Sequence, residues 1–244
     1  MVEHKQQTLL FLGASITQGM ISSSYVRLLK SRLGKRDYRF INQGIAGYES
    51  YNVLQKLDKA VGAHPDFVVL LVGTNDVLSS LDPKLAELTR KLKKIPHEPS
   101  LARYTENITQ IVRRLKQETP AKIALASLPL VGERLDSLEN RTIAEYNAGL
   151  RRIAESEQVT YLAVHEKQVE FLRAALKGPG KEYINRPGMI YASLYRRYLF
   201  FMSYEAMSKR NGYLLLTDGI HLNSRGAGFI ADEIETFLHA NQNS

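Results

Sequence analysis

Two short polar segments carry the residue types that nucleophilic catalysis needs. In the first, Gly13-Ala14-Ser15 directly follows an apolar run. A serine between a strand and a helix N-terminus lies where the helix dipole favours developing negative charge, which suits a nucleophile. Taken alone, the segment is also typical of a helix-capping serine or of a glycine-rich loop that holds a phosphate.

The second segment, residues 217–223, places a carboxylate and an imidazole three residues apart, just before the last predicted helix. Asp218 can accept a hydrogen bond from Nδ1 of His221, which sets the tautomer and leaves Nε2 free as a general base. Alternatively, Asp218 caps the helix and His221 is an ordinary loop residue. A metal site is a poor alternative because the sequence offers no third ligand nearby, and we expect no metal.

Two more segments could supply hydrogen-bond donors to an oxyanion. One contains Asn42, Gly44 and Gly47, and the other contains Gly73 and Asn75. Acyl transfer requires N–H donors aimed at the position where the tetrahedral oxyanion forms, and a glycine backbone N–H or an asparagine amide can serve. Taken alone, each segment is more typical of a turn, because Gly and Asn tolerate a positive φ.

Five short apolar runs, bounded by Gly, Pro, Asp or Asn, predict buried strands over residues 9–12, 38–41, 67–72, 123–127 and 159–164. Apolar residues with helical spacing lie at 104–115, 143–154 and 227–238. Strands that alternate with helices predict a parallel sheet covered on both faces, with ligands bound beyond the carboxyl ends of its strands. Ser15, Gly47 and Asn75 all follow strand ends, so they belong to one edge.

Together the four segments resemble, in order and separation, the sequence blocks of the SGNH, or GDSL-type, esterase and lipase hydrolases. They read Gly13-Ala14-Ser15, Asn42-x-Gly44-x-x-Gly47, Gly73-x-Asn75-Asp76 and Asp218-x-x-His221. The resemblance implies a flavodoxin-like, three-layer α/β/α sandwich with a five-stranded parallel sheet, which agrees with the strand count above. It also implies ester hydrolysis without a cofactor or a metal.

Roles for individual residues follow from the resemblance. Ser15 would be the nucleophile, and His221 would be the general base and then the general acid, oriented by Asp218. The backbone N–H groups of Ser15 and Gly47 and the side chain of Asn75 would form the oxyanion hole.

One position departs from the family pattern, because Ala14 stands where the first block usually has aspartate. That aspartate is not a triad member, so its loss affects the hydrogen bonding beside the nucleophile rather than the triad itself.

The segment around Ser15 does not match the motifs of two other common sites. The α/β-hydrolase nucleophile elbow reads Gly-x-Ser-x-Gly and usually follows several strands, whereas Ser15 follows the first strand and position 17 is threonine. A phosphate-binding Walker loop ends in Gly-Lys-Ser/Thr, which residues 13–19 lack.

We therefore expect a serine-dependent hydrolase that cleaves a small-molecule carboxylic ester, a lipid-like acyl ester or thioester, through an acyl-enzyme on Ser15. A carbohydrate O-acetylesterase would use the same machinery. A non-catalytic ligand-binding module that retains the fold is the alternative from another class.

Composition narrows the chemistry further. The 244 residues contain no cysteine, which excludes a disulfide framework, a thiolate zinc site, an iron–sulfur cluster and a cysteine nucleophile. No apolar run is long enough to span a bilayer, and the first apolar run does not resemble a signal peptide. We expect one domain over residues 1–244 and a cytoplasmic protein.

The net charge of +8 is concentrated in residues 173–213, where eight Lys and Arg face two Glu. This stretch includes an irregular basic and aromatic insertion at about 178–211. Its apolar residues at helical spacing favour a helix packed on the core. Alternatively, Tyr198, Phe200, Phe201 and Met202 form a wall or lid over Ser15 and line the substrate pocket, with nearby basic residues contacting an anionic membrane surface.

A second basic cluster, at residues 90–94, is typical of a solvated helix face. We expect no nucleic-acid partner because no recognition motif accompanies the charge. The oligomeric state does not follow from the sequence.

Overall fold

The computed structural model describes residues 6–34, 37–184, 195, 197–199 and 201–241. Its sheet has five strands, all parallel, in the order β2-β1-β3-β4-β5. The strands are β1 (Gln7–Gly13), β2 (Tyr38–Gly44), β3 (Phe67–Leu71), β4 (Lys122–Ala126) and β5 (Thr160–Leu162). The predicted five-stranded parallel sheet and α/β class are therefore confirmed.

Consecutive residues of the central strands point to opposite faces of the sheet, as a strand requires. Phe11 and Val69 belong to one buried cluster, whereas Leu10, Val68 and Leu70 belong to a second cluster on the other face. Because both faces are buried, the central strands read as nearly continuous apolar runs rather than as alternating patterns.

Helices cover both faces and complete the three layers. In chain order they are α1 (Ser15–Gln18), α2 (Tyr25–Leu33), α3 (Ser50–Leu54), α4 (Leu57–Val61), α5 (Thr74–Leu81), α6 (Pro83–Lys93), α7 (Leu101–Glu118), α8 (Leu138–Ser156), α9 (Val164–Ala175), α10 (Tyr204–Asn211) and α11 (Ser224–Asn241). Helices α2, α9 and α11 pack on the face of Phe11, and α3, α4, α7 and α8 pack on the face of Leu10.

The strand order reverses at β1, since the chain moves from β1 to β2 on one side and then crosses to β3 on the other. In doubly wound sheets, the crevice at such a switch point is the usual ligand site. The segments that follow β1, β2 and β3 therefore meet at one place on the carboxyl edge. They carry Ser15 at the start of α1, Gly47 in a loop and Asn75 in the first turn of α5.

The irregular segment differs from a continuous helix packed on the core. Residues 201–203 are not helical, and Phe201 has a φ of +50°. Tyr195, Tyr198 and Leu199 are each more than half exposed. The predicted core-packed helix is wrong for Tyr195, Tyr198 and Leu199, because these side chains face solvent, whereas Tyr204 and Met207 of α10 are buried.

No helix within the described ranges is both long and apolar enough to cross a membrane.

Candidate active site

Three side chains from opposite ends of the chain form a hydrogen-bonded relay. Nδ1 of His221 lies 2.8 Å from Oδ2 of Asp218, and Nε2 of His221 lies 2.9 Å from Oγ of Ser15. Asp218 and His221 are buried, whereas Ser15 is partly exposed. This is the geometry in which an imidazole can take a proton from a hydroxyl while a buried carboxylate holds its tautomer.

The loop before α11 positions the carboxylate. Oδ1 of Asp218 accepts hydrogen bonds from the backbone N–H groups of Ile220 and His221, at 3.1 and 2.9 Å. Burial alone would raise the pKa of Asp218, but the facing His221 and these hydrogen bonds outweigh it and lower that pKa. Asp218 therefore does not cap α11. That role belongs to Asn223, whose Oδ1 accepts from the N–H of Gly226.

A tight turn positions Ser15, the candidate nucleophile. A Cβ on Gly13 would lie 2.2 Å from Oγ1 of Thr17 and 2.3 Å from the carbonyl oxygen of Leu71, so the turn requires glycine. Thr17 is buried and accepts a hydrogen bond from the hydroxyl of Tyr25. Ala14 is also buried, so alanine avoids the cost of burying a carboxylate beside the serine.

The candidate oxyanion donors lie on neighbouring loops that are tied to each other. Gly47 has a φ of +73°, a conformation that favours glycine. The side-chain amide of Asn75 donates to the carbonyl of Tyr48 at 2.8 Å. This bond uses one of the two amide hydrogens, and the described residues offer that nitrogen no second partner.

Lys93, at the end of α6, contacts the same loop from the other side. Its ammonium donates to the carbonyl oxygen of Ala46 at 3.1 Å and lies 5.4 Å from the centre of the Tyr48 ring. The carbonyl of Ala46 and the N–H of Gly47 belong to one planar peptide unit. A cation at the carbonyl end therefore holds the orientation of that N–H and increases its polarity.

The sequence profile of the GDSL-like Lipase/Acylhydrolase family matches residues 11–228, which include all four segments. The chain belongs to this family. Family membership makes it a carboxylic ester hydrolase, as its sequence blocks predict.

Solved structures agree on the fold of this hydrolase. An acetylxylan esterase from Geobacillus stearothermophilus has a TM-score of 0.67 at 18% identity, covering 97% of this chain and 95% of that chain. The acetyl xylan esterase AlAXEase has a TM-score of 0.64 at 19% identity, with coverages of 95% and 99%. LAE5, an alpha/beta hydrolase enzyme from the metagenome of Lake Arreo, Spain, has a TM-score of 0.65 at 19% identity, with coverages of 96% and 96%. No curated protein sequence matches the chain significantly.

Two buried carboxylates, Glu49 and Asp76, lie next to the candidate oxyanion donors Gly47 and Asn75. Asp76 accepts from the N–H and hydroxyl of Ser50, and Glu49 accepts from the hydroxyl of Ser79 at 2.6 Å. Burial raises the pKa of Asp76 to about 6. Burial, together with the nearby Asp76, raises the pKa of Glu49 to about 7. These bonds connect the start of α3 to α5 and so support the loops that carry Gly47 and Asn75.

A third buried carboxylate, Glu133, positions the strand-like segment that leads to Asp218. It accepts hydrogen bonds from the N–H groups of Leu214, Leu215 and Leu216, at 2.7 to 3.1 Å. Burial raises the pKa of Glu133, although these N–H groups oppose the shift. Glu133 thus satisfies three successive backbone donors just before the loop that carries Asp218 and His221.

The nucleophile loop and the His221 loop are joined directly. The N–H of Ser23 donates to the carbonyl of Leu222 at 2.8 Å, and the N–H of Leu222 donates to the hydroxyl of Ser22 at 3.0 Å. Leu222 adjoins His221, so these bonds hold the base at a set distance from the turn that carries Ser15.

Of the four predicted pocket residues, the structure describes Tyr198, Phe201 and Met202, and none of these three forms a hydrogen bond to the relay. The hydroxyl of Tyr198 donates to the carbonyl of Met20, beside a cavity lined by α1 and α2. Phe201 is 83% exposed, Met202 is partly exposed, and Phe200 lies outside the described residues. A lid formed by these side chains stays a prediction.

Two cavities do border the elements that carry the candidate donors. One, of about 560 Å³, lies beside Tyr48 and Lys93, and its lining is rich in lysine, tyrosine and amide side chains. The other, of about 290 Å³, lies between α5, α6, the start of α8 and Tyr183, and its lining is mostly apolar. Nowhere in the described ranges do three or more His, Cys, Asp or Glu cluster as a metal site would require.

Sequence analysis missed Lys93, Glu49 and Glu133. Lys93 belongs to the basic cluster at residues 90–94, which reads as a solvated surface. Glu133 lies in a loop without a motif. One signal could have indicated the buried carboxylates. Asp76 lies within one of the four blocks and Glu49 lies two residues after another, among small and apolar residues.

Proposed function

We propose that the chain is a serine esterase that removes acetyl groups from carbohydrates through an acyl-enzyme on Ser15. The observation that carries the catalytic part of the proposal is the relay from Asp218 through His221 to Ser15, with contacts of 2.8 and 2.9 Å.

In the first half-reaction, Oγ of Ser15 attacks the ester carbonyl while Nε2 of His221 takes the hydroxyl proton. The negative charge that develops on the carbonyl oxygen is met by the backbone N–H groups of Ser15 and Gly47 and by the amide of Asn75. Collapse of this intermediate breaks the ester bond, and His221 returns the proton to the leaving alcohol. Asp218 stabilises the imidazolium that exists between these transfers.

In the second half-reaction, water takes the place of the alcohol. His221 accepts a proton from the water as it attacks the acetyl carbonyl, and then returns a proton to Oγ of Ser15 as acetate leaves. The cycle needs no oxidant, metal or cofactor, because the backbone N–H groups and side chains named above meet every charge that forms.

Two observations support a carbohydrate as the alcohol part of the substrate. The larger cavity beside the oxyanion loop is lined by Tyr48, Tyr51 and Gln55 among others, side chains that stack on sugar rings and bond to hydroxyls. In addition, the solved structures with this fold include proteins described as acetyl xylan esterases.

A second candidate substrate is an ester with a longer acyl chain. The cavity of about 290 Å³ favours it, because Leu78, Leu81 and Leu85 contribute an apolar lining. A membrane surface as the source of such esters stays a prediction from the basic segment.

A fluorophosphonate probe tests the nucleophile. We expect it to label the parent protein at Ser15 and to leave a folded Ser15→Ala variant unlabelled. A folded parent that does not react would refute the serine mechanism and favour a non-catalytic binding module.

A substrate series then tests the acyl and alcohol parts separately. Release of acetate from acetylated xylo-oligosaccharides is compared with hydrolysis of 4-nitrophenyl esters from acetate to palmitate. We expect activity on acetylated saccharides and a steep decline beyond short acyl chains. A maximum at octanoate or longer, without saccharide deacetylation, would favour the lipid-like substrate.

A further inference from the structure

The cavity beside Tyr48 and Lys93 has a positively charged lining. It encloses about 560 Å³, and its lining includes Lys56, Lys93 and Lys94 but no Asp or Glu. Lys56 and Lys94 are exposed, and within the described part of the chain neither forms an ion pair. Unpaired cations in a concave site attract anions more strongly than they do on a flat surface.

The cavity borders the loop that carries Gly47, on the side of the Ala46 carbonyl. Its wall includes Ile45 and Tyr48, which flank the Ala46–Gly47 peptide. A Cβ on Gly47 would lie 3.0 Å from Cε of Lys93. A group in the cavity would therefore be separated from the reacting ester by about one peptide unit, a span that the alcohol part of an oligosaccharide substrate can bridge.

The remaining lining is suited to sugar rings. Tyr48 and Tyr51 are half-buried, and Tyr51 is held edge-to-face against His97 at 5.1 Å between ring centroids. Rings fixed in this way offer a flat apolar surface to a pyranose at a small entropy cost. The Gln55 amide can donate to and accept from hydroxyl groups.

We propose that this cavity is a subsite for a saccharide that carries a carboxylate, bound by Lys56 and Lys94 while its acetyl ester faces Ser15. The inference rests on the proposed function and adds its substrate class, an O-acetylated acidic saccharide such as a uronate oligomer. Lys93 already bonds to the carbonyl of Ala46, so the two exposed lysines are the groups that recognise the anion.

The test compares three acetyl esters that differ only in the alcohol part. They are acetylated trigalacturonate, which is anionic; acetylated xylotriose, which is neutral; and 4-nitrophenyl acetate, which carries no sugar. For the parent, we expect the highest kcat/KM on the anionic saccharide at low salt. The preference should decline as added NaCl screens the exposed lysines.

The variant combines Lys56→Gln with Lys94→Asn. Asparagine is chosen at position 94 because Lys94 has a φ of +55°, which asparagine tolerates better than most residues. We expect KM for acetylated trigalacturonate to rise about tenfold and kcat on 4-nitrophenyl acetate to stay within about twofold. The matched control, Lys59→Gln with Lys91→Gln, removes two charges from α4 and α6 without touching the lining, and should retain the parent constants on all three esters.

The outcomes separate the subsite from the proposed function. Unchanged constants on the anionic ester, or an equal loss on both saccharides, would overturn the subsite. If the parent deacetylates no saccharide, the proposed function fails. The subsite is then decided by titration of the Ser15→Ala variant with unacetylated trigalacturonate and xylotriose. Preferential binding of the anion, lost in the lysine variant, supports the subsite, and equal or absent binding refutes it.

Discussion

Replacement of Lys93 by methionine should slow acyl transfer without changing any group that touches the ester. The ammonium of Lys93 lies 3.1 Å from the carbonyl oxygen of Ala46. In our proposal, the N–H at the other end of the same peptide, that of Gly47, donates to the oxyanion. Methionine keeps most of the aliphatic contact over Gly47 and removes the ammonium, with its charge and its hydrogen bond to Ala46.

The size of the effect follows from distances. The Lys93 ammonium and the oxyanion lie at opposite ends of the Ala46–Gly47 peptide unit. The peptide spans about 2.3 Å from its oxygen to its nitrogen, and the hydrogen bond to the oxyanion adds about 2.9 Å. With the contact from Lys93 to Ala46, the two charges are about 8 Å apart. At an effective dielectric constant of about 20 the attraction is about 2 kcal/mol. Lys93 is partly exposed, so solvent reduces this to about 1.4 kcal/mol, which corresponds to about a tenfold loss in kcat.

The assay uses 4-nitrophenyl acetate, because an ester without a sugar reports on the oxyanion rather than on the cavity that Lys93 also lines. We expect kcat to fall about tenfold with little change in KM. The affinity for a phosphonate that mimics the tetrahedral intermediate should decrease by a similar factor. Lys91→Met, two residues before Lys93 on α6 and exposed, is the matched control and should match the parent.

A folded Lys93→Met protein with an unchanged kcat would refute the argument. So would a loss confined to KM, since that would mean that Lys93 binds ester and transition state equally.

Three further predictions follow from the buried carboxylates. Asp218→Asn should lower kcat by about 10³ to 10⁴, as in other serine triads, because an amide no longer favours the tautomer that Ser15 needs; steady-state kinetics on 4-nitrophenyl acetate checks this, and a loss below tenfold would contradict it. Glu133→Gln should lower the free energy of unfolding by about 2 kcal/mol in urea titrations, because one amide oxygen cannot replace a carboxylate that accepts from Leu214, Leu215 and Leu216, whereas exposed Glu182→Gln should change it little. The pKa of Glu49 is raised, so between pH 4.5 and about 7 the folded state keeps a proton that the unfolded state has released. The parent therefore loses stability as pH rises through that window. The free energy of unfolding of Glu49→Gln, relative to the parent, should be higher at pH 8 than at pH 5 by up to about 3 kcal/mol. An equal difference at both pH values would contradict the assigned cause.

The parts of the fold that sequence patterns predicted are those in which local composition and burial agree. The run at Phe67–Leu71 is apolar throughout because β3 is central and covered on both faces, and its boundaries were predicted within one residue. The relay was also predictable, since Asp218 and His221 are three residues apart and Ser15 follows the first strand. Short-range spacing contains that information.

The support of the site is encoded differently and was not predictable. Lys93 and Ala46 are 47 residues apart, and Glu133 and Leu214 are 81 apart. A lysine that binds a backbone carbonyl has the same sequence context as a lysine on a solvated helix face. Likewise, the apolar spacing around Tyr198 suggests a buried stripe, although that side chain is 55% exposed. Periodicity reports which residues share a face, and it does not report whether another element covers that face.

The bonds between Ser22, Ser23 and Leu222 have a consequence for how such proteins diversify. Ser15 and His221 are connected by a path of a few residues on each side, which does not pass through the sheet or through the chain between Tyr183 and Tyr204. Changes of sequence in that stretch can therefore accumulate while the distance from Ser15 to His221 is preserved. Such a stretch is where a lineage can acquire new specificity, and where a protein engineer can graft a different substrate wall without rebuilding the catalytic centre.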